Sequence, residues 1–237
     1  MLDNSFVLIT CAYNAGDYID ECIRSCDNQG PDVGHILVDD CSTDDTFKRM
    51  KQYQTKNRLI IRTNKRTRTP AYLQQKITKQ FVKNPDALVA VVDGDDKLLP
   101  CAVKRVRENI KDNWIFCSNY IYGRRNCRIR KGILPDFSKP IREQKYTFHH
   151  FRGWKKHLSD KVNSKDFFKE GKIMGAGSDL PYMYAMLEMA GKDRAIHIDE
   201  VLYHYNIHNP INDHKVNFQE QHDAVVNTKG IDPYDIL

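Results

Sequence analysis

The sequence predicts an α/β protein built on a doubly wound, mostly parallel sheet flanked by helices. Three observations carry that prediction. Short β-rich runs alternate with segments of helical periodicity along the first half of the 237-residue chain. One run, Ala87-Leu88-Val89-Ala90-Val91-Val92, is apolar throughout, as a strand covered on both faces must be. Finally, several runs end in polar residues, at Tyr13-Asn14, at Asp39-Asp40 and at Asp93-Gly94-Asp95-Asp96. Open parallel sheets bind ligands beyond such carboxyl ends of strands.

Taken in order, residues 5–10 are β-rich and give way to Cys11-Ala12-Tyr13-Asn14-Ala15-Gly16, a turn-forming composition. Asp17 is expected to cap the following helix, with Asp20 placed as in a capping box, and Ile19, Cys22, Ile23 and Cys26 fall at helical spacing. Residues 35–38 form the second strand, followed by a polar loop from Cys41 to Thr46 and a helix over 47–53. A third strand spans 59–61, a helix 72–82, and the apolar fourth strand 87–92. Beyond the acidic turn, a helix over 100–110 precedes a strand over 114–117. Between 124 and 172 periodicity is lost, and basic and aromatic residues dominate. A helix over 181–190 stops at Gly191, a usual residue just past a helix end. A strand over 201–205 and a last helix over 216–226 complete the reading, with no repeat, low-complexity segment or linker.

Composition sets bounds on function. Hydrophobic residues make up 41% and charged residues 29%, ordinary for a soluble globular chain of one domain. No apolar run is long enough to cross a bilayer, and Met1-Leu2-Asp3-Asn4 lacks the layout of a signal peptide. The expectation is a soluble, cytoplasmic protein. Seven cysteines without paired Cys-x-x-Cys elements predict reduced, mostly buried thiols rather than structural zinc. The net charge of +6 suits nucleic acid, an anionic membrane surface or a phosphate-bearing substrate. Its basic clusters lie at Lys65-Arg66-Thr67-Arg68, from Arg124 to Lys131 and from Arg152 to Lys156. Solvated faces account for most of them.

Carboxylates on neighbouring strand ends repel one another unless a cation joins them. Mg²⁺ and Mn²⁺ take oxygen ligands and bridge carboxylates to phosphates, so a divalent metal is expected at Asp93 and Asp95. Gly94 lets the backbone turn tightly enough for both to face one spot. As a solvated turn, the same segment would use Asp96 to cap the next helix.

The combined pattern of Ile9-Thr10-Cys11-Ala12-Tyr13-Asn14, Ile36-Leu37-Val38-Asp39-Asp40-Cys41-Ser42-Thr43-Asp44 and Val91-Val92-Asp93-Gly94-Asp95-Asp96 resembles family 2 glycosyltransferases of the GT-A fold. The resemblance covers the first half of the chain and continues more weakly through Met186-Leu187-Glu188-Met189-Ala190-Gly191 and Val201-Leu202-Tyr203-His204-Tyr205-Asn206. It implies a single domain over residues 1–237, with a nucleotide-sugar-binding half (1–100) and a less regular acceptor-side half (101–237). It also implies inverting transfer of a sugar from a nucleotide diphosphate, commonly UDP in this family, to a hydroxyl of a glycan, lipid-linked or protein acceptor. By resemblance, Cys11, Ala12 and Tyr13 line the base pocket, Asp40 accepts a hydrogen bond from the base, Asp93 sits near ribose or sugar, and Asp95 holds the metal. Asp179 matches the family's general base, which deprotonates the acceptor. Some members complete the metal shell with a late histidine, which points to His208 ahead of His204. Arg66 and Arg68 are placed to close over the diphosphate as a cationic flap.

The sequence departs from the family where Cys11 replaces a usual proline, Ala12 a threonine, Cys41 a glycine, and Ser178 an acidic or amide residue. The aromatic and basic segment from Phe148 to Lys156 suits the acceptor side, as a platform for sugar rings, although Trp154 also suits a core. A membrane surface would read the same way, so peripheral membrane contact stays open; nucleic acid is not expected. Two alternatives remain: a sugar-nucleotide nucleotidyltransferase, which would want a Gly-rich basic loop after the first strand, and a catalytically inactive glycan- or nucleic-acid-binding module.

Overall fold

The computed structural model describes residues 1–123 and 127–237, the side chains of residues 213 and 214 excepted. Arg124 and Arg125, which open the second basic cluster, therefore lie outside the described residues. In chain order the elements are β1 (Phe6–Ala12), α1 (Ile19–Asp27), β2 (Gly34–Asp39), α2 (Thr46–Lys51), β3 (Arg58–Arg62), α3 (Pro70–Phe81) and β4 (Leu88–Val91). There follow β5 (Lys97–Leu98), α4 (Ala102–Ile110), β6 (Ile115–Tyr122), β7 (Arg128–Arg130), β8 (Arg152–Lys155), α5 (Lys156–Lys161), β9 (Phe168–Lys169) and β10 (Lys172–Ile173). The chain ends with α6 (Asp179–Ala190), β11 (Ala195–Tyr205), α7 (Asp213–Val216) and α8 (Phe218–Lys229).

One sheet runs in the order β3-β2-β1-β4-β8-β6-β11-β5, with β7 added to β6. β1, β2, β3 and β4 are mutually parallel, and so are β6 and β11. β8 is antiparallel to both its neighbours and joins the two parallel groups. The alternation of side chains along each strand feeds two cores. Val7 and Ile9 of β1 and Val89 and Val91 of β4 face the layer made by α3, α5 and α6, whereas Phe6, Leu8 and Ala90 face the layer with α1 and α4. Both faces are thus covered, which is why the fourth strand could be apolar throughout.

β8 was not legible in the sequence. It is a four-residue strand whose one apolar side chain is Trp154. A Cβ on Gly153 would sit 2.6 Å from the Val89 carbonyl and 2.6 Å from the Phe116 ring, so only glycine lets this strand slot into the sheet centre. Its neighbours Phe148, Phe151 and Trp154 are 1%, 0% and 0% exposed. The expected aromatic platform for sugar rings is therefore corrected: these rings are core, because burying them offsets the cost of the central strand.

Helix caps also differ from expectation. α1 begins at Ile19 with Tyr18 at its N-cap and no side-chain cap, and Asp17 is exposed. Asp96 caps nothing; it is buried. β1 and β6 run two and five residues beyond their expected ends because neighbouring strands continue to pair with them. Cys11, Cys22, Cys26, Cys41, Cys101 and Cys117 are thiols outside any disulfide. Among the described residues, no helix is long and apolar enough to cross a membrane.

Candidate active site

Beyond the carboxyl ends of β1, β2 and β4 lies a cavity of about 280 Å³. Its floor is set by two interlocked loops. Asn14 takes a left-handed backbone (φ 47°), which asparagine tolerates. Its N–H donates to Ser42 Oγ (2.9 Å), and its Oδ1 accepts from the Thr43 N–H (2.9 Å). The next two N–H groups donate to Thr46 Oγ1 and Asp44 Oδ2. So braced, the loop after β1 presents Cys11, Ala12 and Tyr13 to the cavity. Burial first, then Asp93 and Asp40, push the Cys11 thiol far up, so it is an inert lining group.

The Asp40 carboxylate is buried and engaged. It accepts from the backbone N–H groups of Thr67 (2.9 Å) and Arg68 (3.1 Å) and from the hydroxyls of Thr63 and Thr67. These bonds fold the loop after β3 over the cavity, where Arg66 and Arg68 both line it. The Arg66 guanidinium lies 3.4 Å above the Tyr13 ring, a cation–π stack. Arg68 reaches Glu220 of α8 at 3.4 Å.

The acidic turn is knitted to the end of β11. Asp96 accepts from the Tyr203 hydroxyl and the Asn206 N–H, both at 2.7 Å, and the Tyr203 oxygen accepts from the Asp93 N–H (3.1 Å). Burial, reinforced by Asp95 and Asp93, raises the Asp96 carboxyl well above the usual range. Asp95 Oδ2 accepts from the buried amide of Asn209 at 2.7 Å. Gly94 earns its place by close approach: an added Cβ would stand 2.5 Å from that of Ala12.

β8 supplies the far wall. Its register sets Arg152 opposite Val91, two residues before Asp93. Arg152 is buried and donates to Asp179 Oδ2 (2.8 Å) and to the Tyr146 hydroxyl (2.6 Å). Burial opposes its charge, but Tyr146, Asp179 and Asp93 outweigh that and keep it protonated. His150 stacks on Tyr203 with centroids 4.9 Å apart, and its Nε2 lies 3.8 Å from Asp93. Burial, then Arg152 and His149, hold it neutral. Asp179, at the first turn of α6, completes the wall.

The structure thus gathers Cys11, Ala12, Tyr13, Asp40, Arg66, Arg68, Asp93, Gly94, Asp95 and Asp179 around one cavity. His208 is exposed and lies outside it, and the His204 ring meets the Gly123 carbonyl instead. On the same loop it is Asn209 that approaches Asp95. Sequence reasoning missed Asn209, Arg152 and His150; the last two fell in a segment singled out only for its composition.

Among the described residues, no three His, Cys, Asp or Glu side chains gather as a complete metal cage. Asp93 and Asp95 at the cavity wall nevertheless fit a hard divalent cation, which takes one or two carboxylates and fills its shell with phosphate and water oxygens.

The family model for glycosyl transferase family 2 matches residues 7–172. A Bacillus subtilis (strain 168) protein named for teichuronic acid biosynthesis, the glycosyltransferase TuaG, is 34% identical over 91 residues, covering 38% of this chain and 35% of its own length. The chain therefore spans about a third of that relative. S. aureus TarS 1-349 in complex with UDP-GlcNAc superposes with a TM-score of 0.70 at 17% identity, over 97% of this chain and 68% of that one. The mannosyltransferase PcManGT of Pyrobaculum calidifontis, in complex with GDP-Man and Mn²⁺, gives 0.60 at 13% identity, over 96% and 64%.

Proposed function

Because the chain belongs to glycosyl transferase family 2, we propose that it transfers a sugar, with inversion, from a nucleotide diphosphate to an acceptor hydroxyl. The observation that carries this reading is the meeting of two groups of carboxylates across one cavity: Asp93 and Asp95 on one wall, Asp179 on the other. The nucleotide base stacks on Tyr13. Arg66 must leave that ring first, since 3.4 Å leaves no space between them. Freed, it joins Arg68 in facing the diphosphate, where bidentate guanidinium contacts neutralise phosphate oxygens. Asp40 acts on the donor through the loop it holds.

Asp93 and Asp95 would hold Mn²⁺ or Mg²⁺, which when bound offsets the charge developing on the leaving diphosphate. Asp179 takes the proton of the acceptor hydroxyl as its oxygen attacks the anomeric carbon and the bond to the diphosphate breaks. Arg152 orients that carboxylate, and neutral His150 and Tyr205 exclude water beside the acidic turn. UDP is favoured as the nucleotide by the TarS likeness, and a glycan acceptor by the name of the B. subtilis relative.

A thermal-shift screen of nucleotide sugars with and without Mn²⁺ tests the reading. A ligand that binds only the folded state stabilises it by about 2.7 kcal/mol at a hundred times its Kd. The cognate donor should raise the melting temperature in a Mn²⁺-dependent way, and Asp95→Ala should abolish that dependence. Asp179→Asn should keep the shift and lose transfer by roughly 10²–10⁴-fold. No shift with any nucleotide sugar, or full transfer by Asp95→Ala, rejects the mechanism.

A further inference from the structure

Past the cavity the sheet carries a pattern that donor binding does not use. The registers of β11 on β6 and of β6 on β7 align two rows across three strands: Tyr203, Tyr120 and Arg130, then Tyr205, Tyr122 and Arg128. Residues two apart on a strand point to the same face, so both rows share one surface. The rings touch in sequence, with the centroid of Tyr120 lying 5.9 Å from that of Tyr205 and 6.2 Å from that of Tyr122. The inner tyrosines are buried, Tyr122 and Tyr205 are half-buried, and all of β7 is exposed. Tyr205 also lines the donor cavity. An aromatic strip therefore leads out of the cavity and ends at two guanidinium groups.

Among the described residues these arginines have no acidic partner. The neighbouring carboxylate, Asp199, is engaged by the Asn119 amide (2.9 Å) and by Lys131 (3.6 Å), and neither Arg128 nor Arg130 forms an ion pair among the described residues. Arg130 instead faces Tyr120 and His149, whose pKa is lowered first by burial and then by the Arg130 charge. Positive charge thus accumulates at one end of the strip, while the other end opens onto Asp179 and the acidic turn.

We propose that this strip is the acceptor subsite, and that the acceptor is an anionic glycan, a chain of sugars bearing carboxylate or phosphate groups. The inference rests on the glycosyl-transfer reading and adds the acceptor's class to it. The C–H faces of sugar rings pack on the electron-rich faces of Tyr205 and Tyr122. The forked donors of Arg128 and Arg130 match the geometry of a carboxylate or phosphate. A nucleic acid would want phosphate contacts along its whole track; here the cations stand at one end, and the strip delivers its occupant to the candidate base.

The test is calorimetric titration of UDP-loaded protein with trigalacturonate, its neutral methyl ester, a phosphorylated maltotriose and a short single-stranded oligonucleotide. At least one acidic glycan should bind roughly tenfold more tightly than the neutral ester, the scale of one charge-assisted hydrogen bond. Arg128→Ala/Arg130→Ala, at exposed positions, should erase that preference. Tyr122→Ala should weaken acidic and neutral glycans alike. The acid that binds separates carboxylate from phosphate recognition. Binding of both acidic glycans no tighter than that of the neutral ester, a preference that survives the double arginine variant, or tighter binding of the oligonucleotide overturns the proposal. UDP binding, followed on the same preparation, tests the underlying reading separately: if UDP fails to bind while acidic glycans still do, the donor assignment falls and the subsite stands.

Discussion

Gly94 has room for a hydrogen atom and nothing larger, and that constraint shapes the acidic turn. The turn was expected to need glycine for its dihedral freedom, yet Gly94 does not sit at positive φ. What forbids a side chain is Ala12, whose Cα and Cβ would lie 3.2 Å and 2.5 Å from an added methyl. The small residues at 12 and 94 are one packing solution, which draws the end of β1 against Asp93 and Asp95. Gly94→Ala should therefore destabilise the protein by about 1–3 kcal/mol in urea titrations, the usual cost of overpacking. Ala12→Gly added to it should recover part of that loss, and strictly additive effects would refute the contact. The residues of the turn divide their tasks: Asp96 is spent internally on Tyr203 and Asn206, while Asp93 and Asp95 line the cavity.

At the scale of elements, β2 carries a buried histidine that makes the sheet sensitive to acid. His35 is 3% exposed, and its Nε2 lies 3.0 Å from Thr10 Oγ1 on β1. Burial, then Arg58, push it from 6.5 down to about 3. Between those values the unfolded chain binds a proton that the folded chain refuses. Stability is thus fully present above about pH 6.5 and falls as pH drops toward 3, by on the order of 1–2 kcal/mol from pH 7 to pH 5. His149, lowered to about 4 mainly by burial, adds to the same slope. Urea midpoints measured at several pH values should show this decline, and His35→Gln should flatten it; an unchanged slope would remove His35 from the account. β8 shows a different property of an element: four residues in the centre of the sheet bring His150 and Arg152 to Asp93 and Asp179, from a segment with no readable periodicity.

Across the whole molecule, a buried ion pair, besides that of Arg152 with Asp179, helps to hold the part that carries Asp179. Arg142 meets Glu188 through two bonds of 2.7 Å and 2.6 Å and also donates to the Thr228 carbonyl, while Glu188 accepts from the Tyr234 N–H. The pair fastens a single 3₁₀ turn (Ile141–Glu143), α6, the end of α8 and the C-terminal residues to one another. Arg142→Ala strands a buried carboxylate and should cost roughly 3–5 kcal/mol in chemical denaturation. Arg142→Met/Glu188→Leu, which removes both charges, should be far closer to the parent. Equal losses in the two variants would mean that shape, not charge compensation, holds this region.

Local pattern sufficed for much of this protein. The apolar run 87–92, the β-rich runs before it and the polar residues at their ends specified a parallel sheet and most of a cavity, because strand and helix periodicities are written in neighbouring residues. Tyr13, Asp40, Asp93, Asp95 and Asp179, which line one cavity, were all proposed that way or through the family pattern they complete. Only the tertiary structure decided who meets whom. Asn209 binds Asp95 across 114 residues, Tyr203 binds Asp96 across 107, and Arg152 reaches Asp179 from a strand too short to announce itself. It also turned Asp40 toward its own loop and left His208 outside the cavity. Such contacts depend on how distant segments pack, and no spacing along the chain encodes the register of a sheet or the approach of a loop.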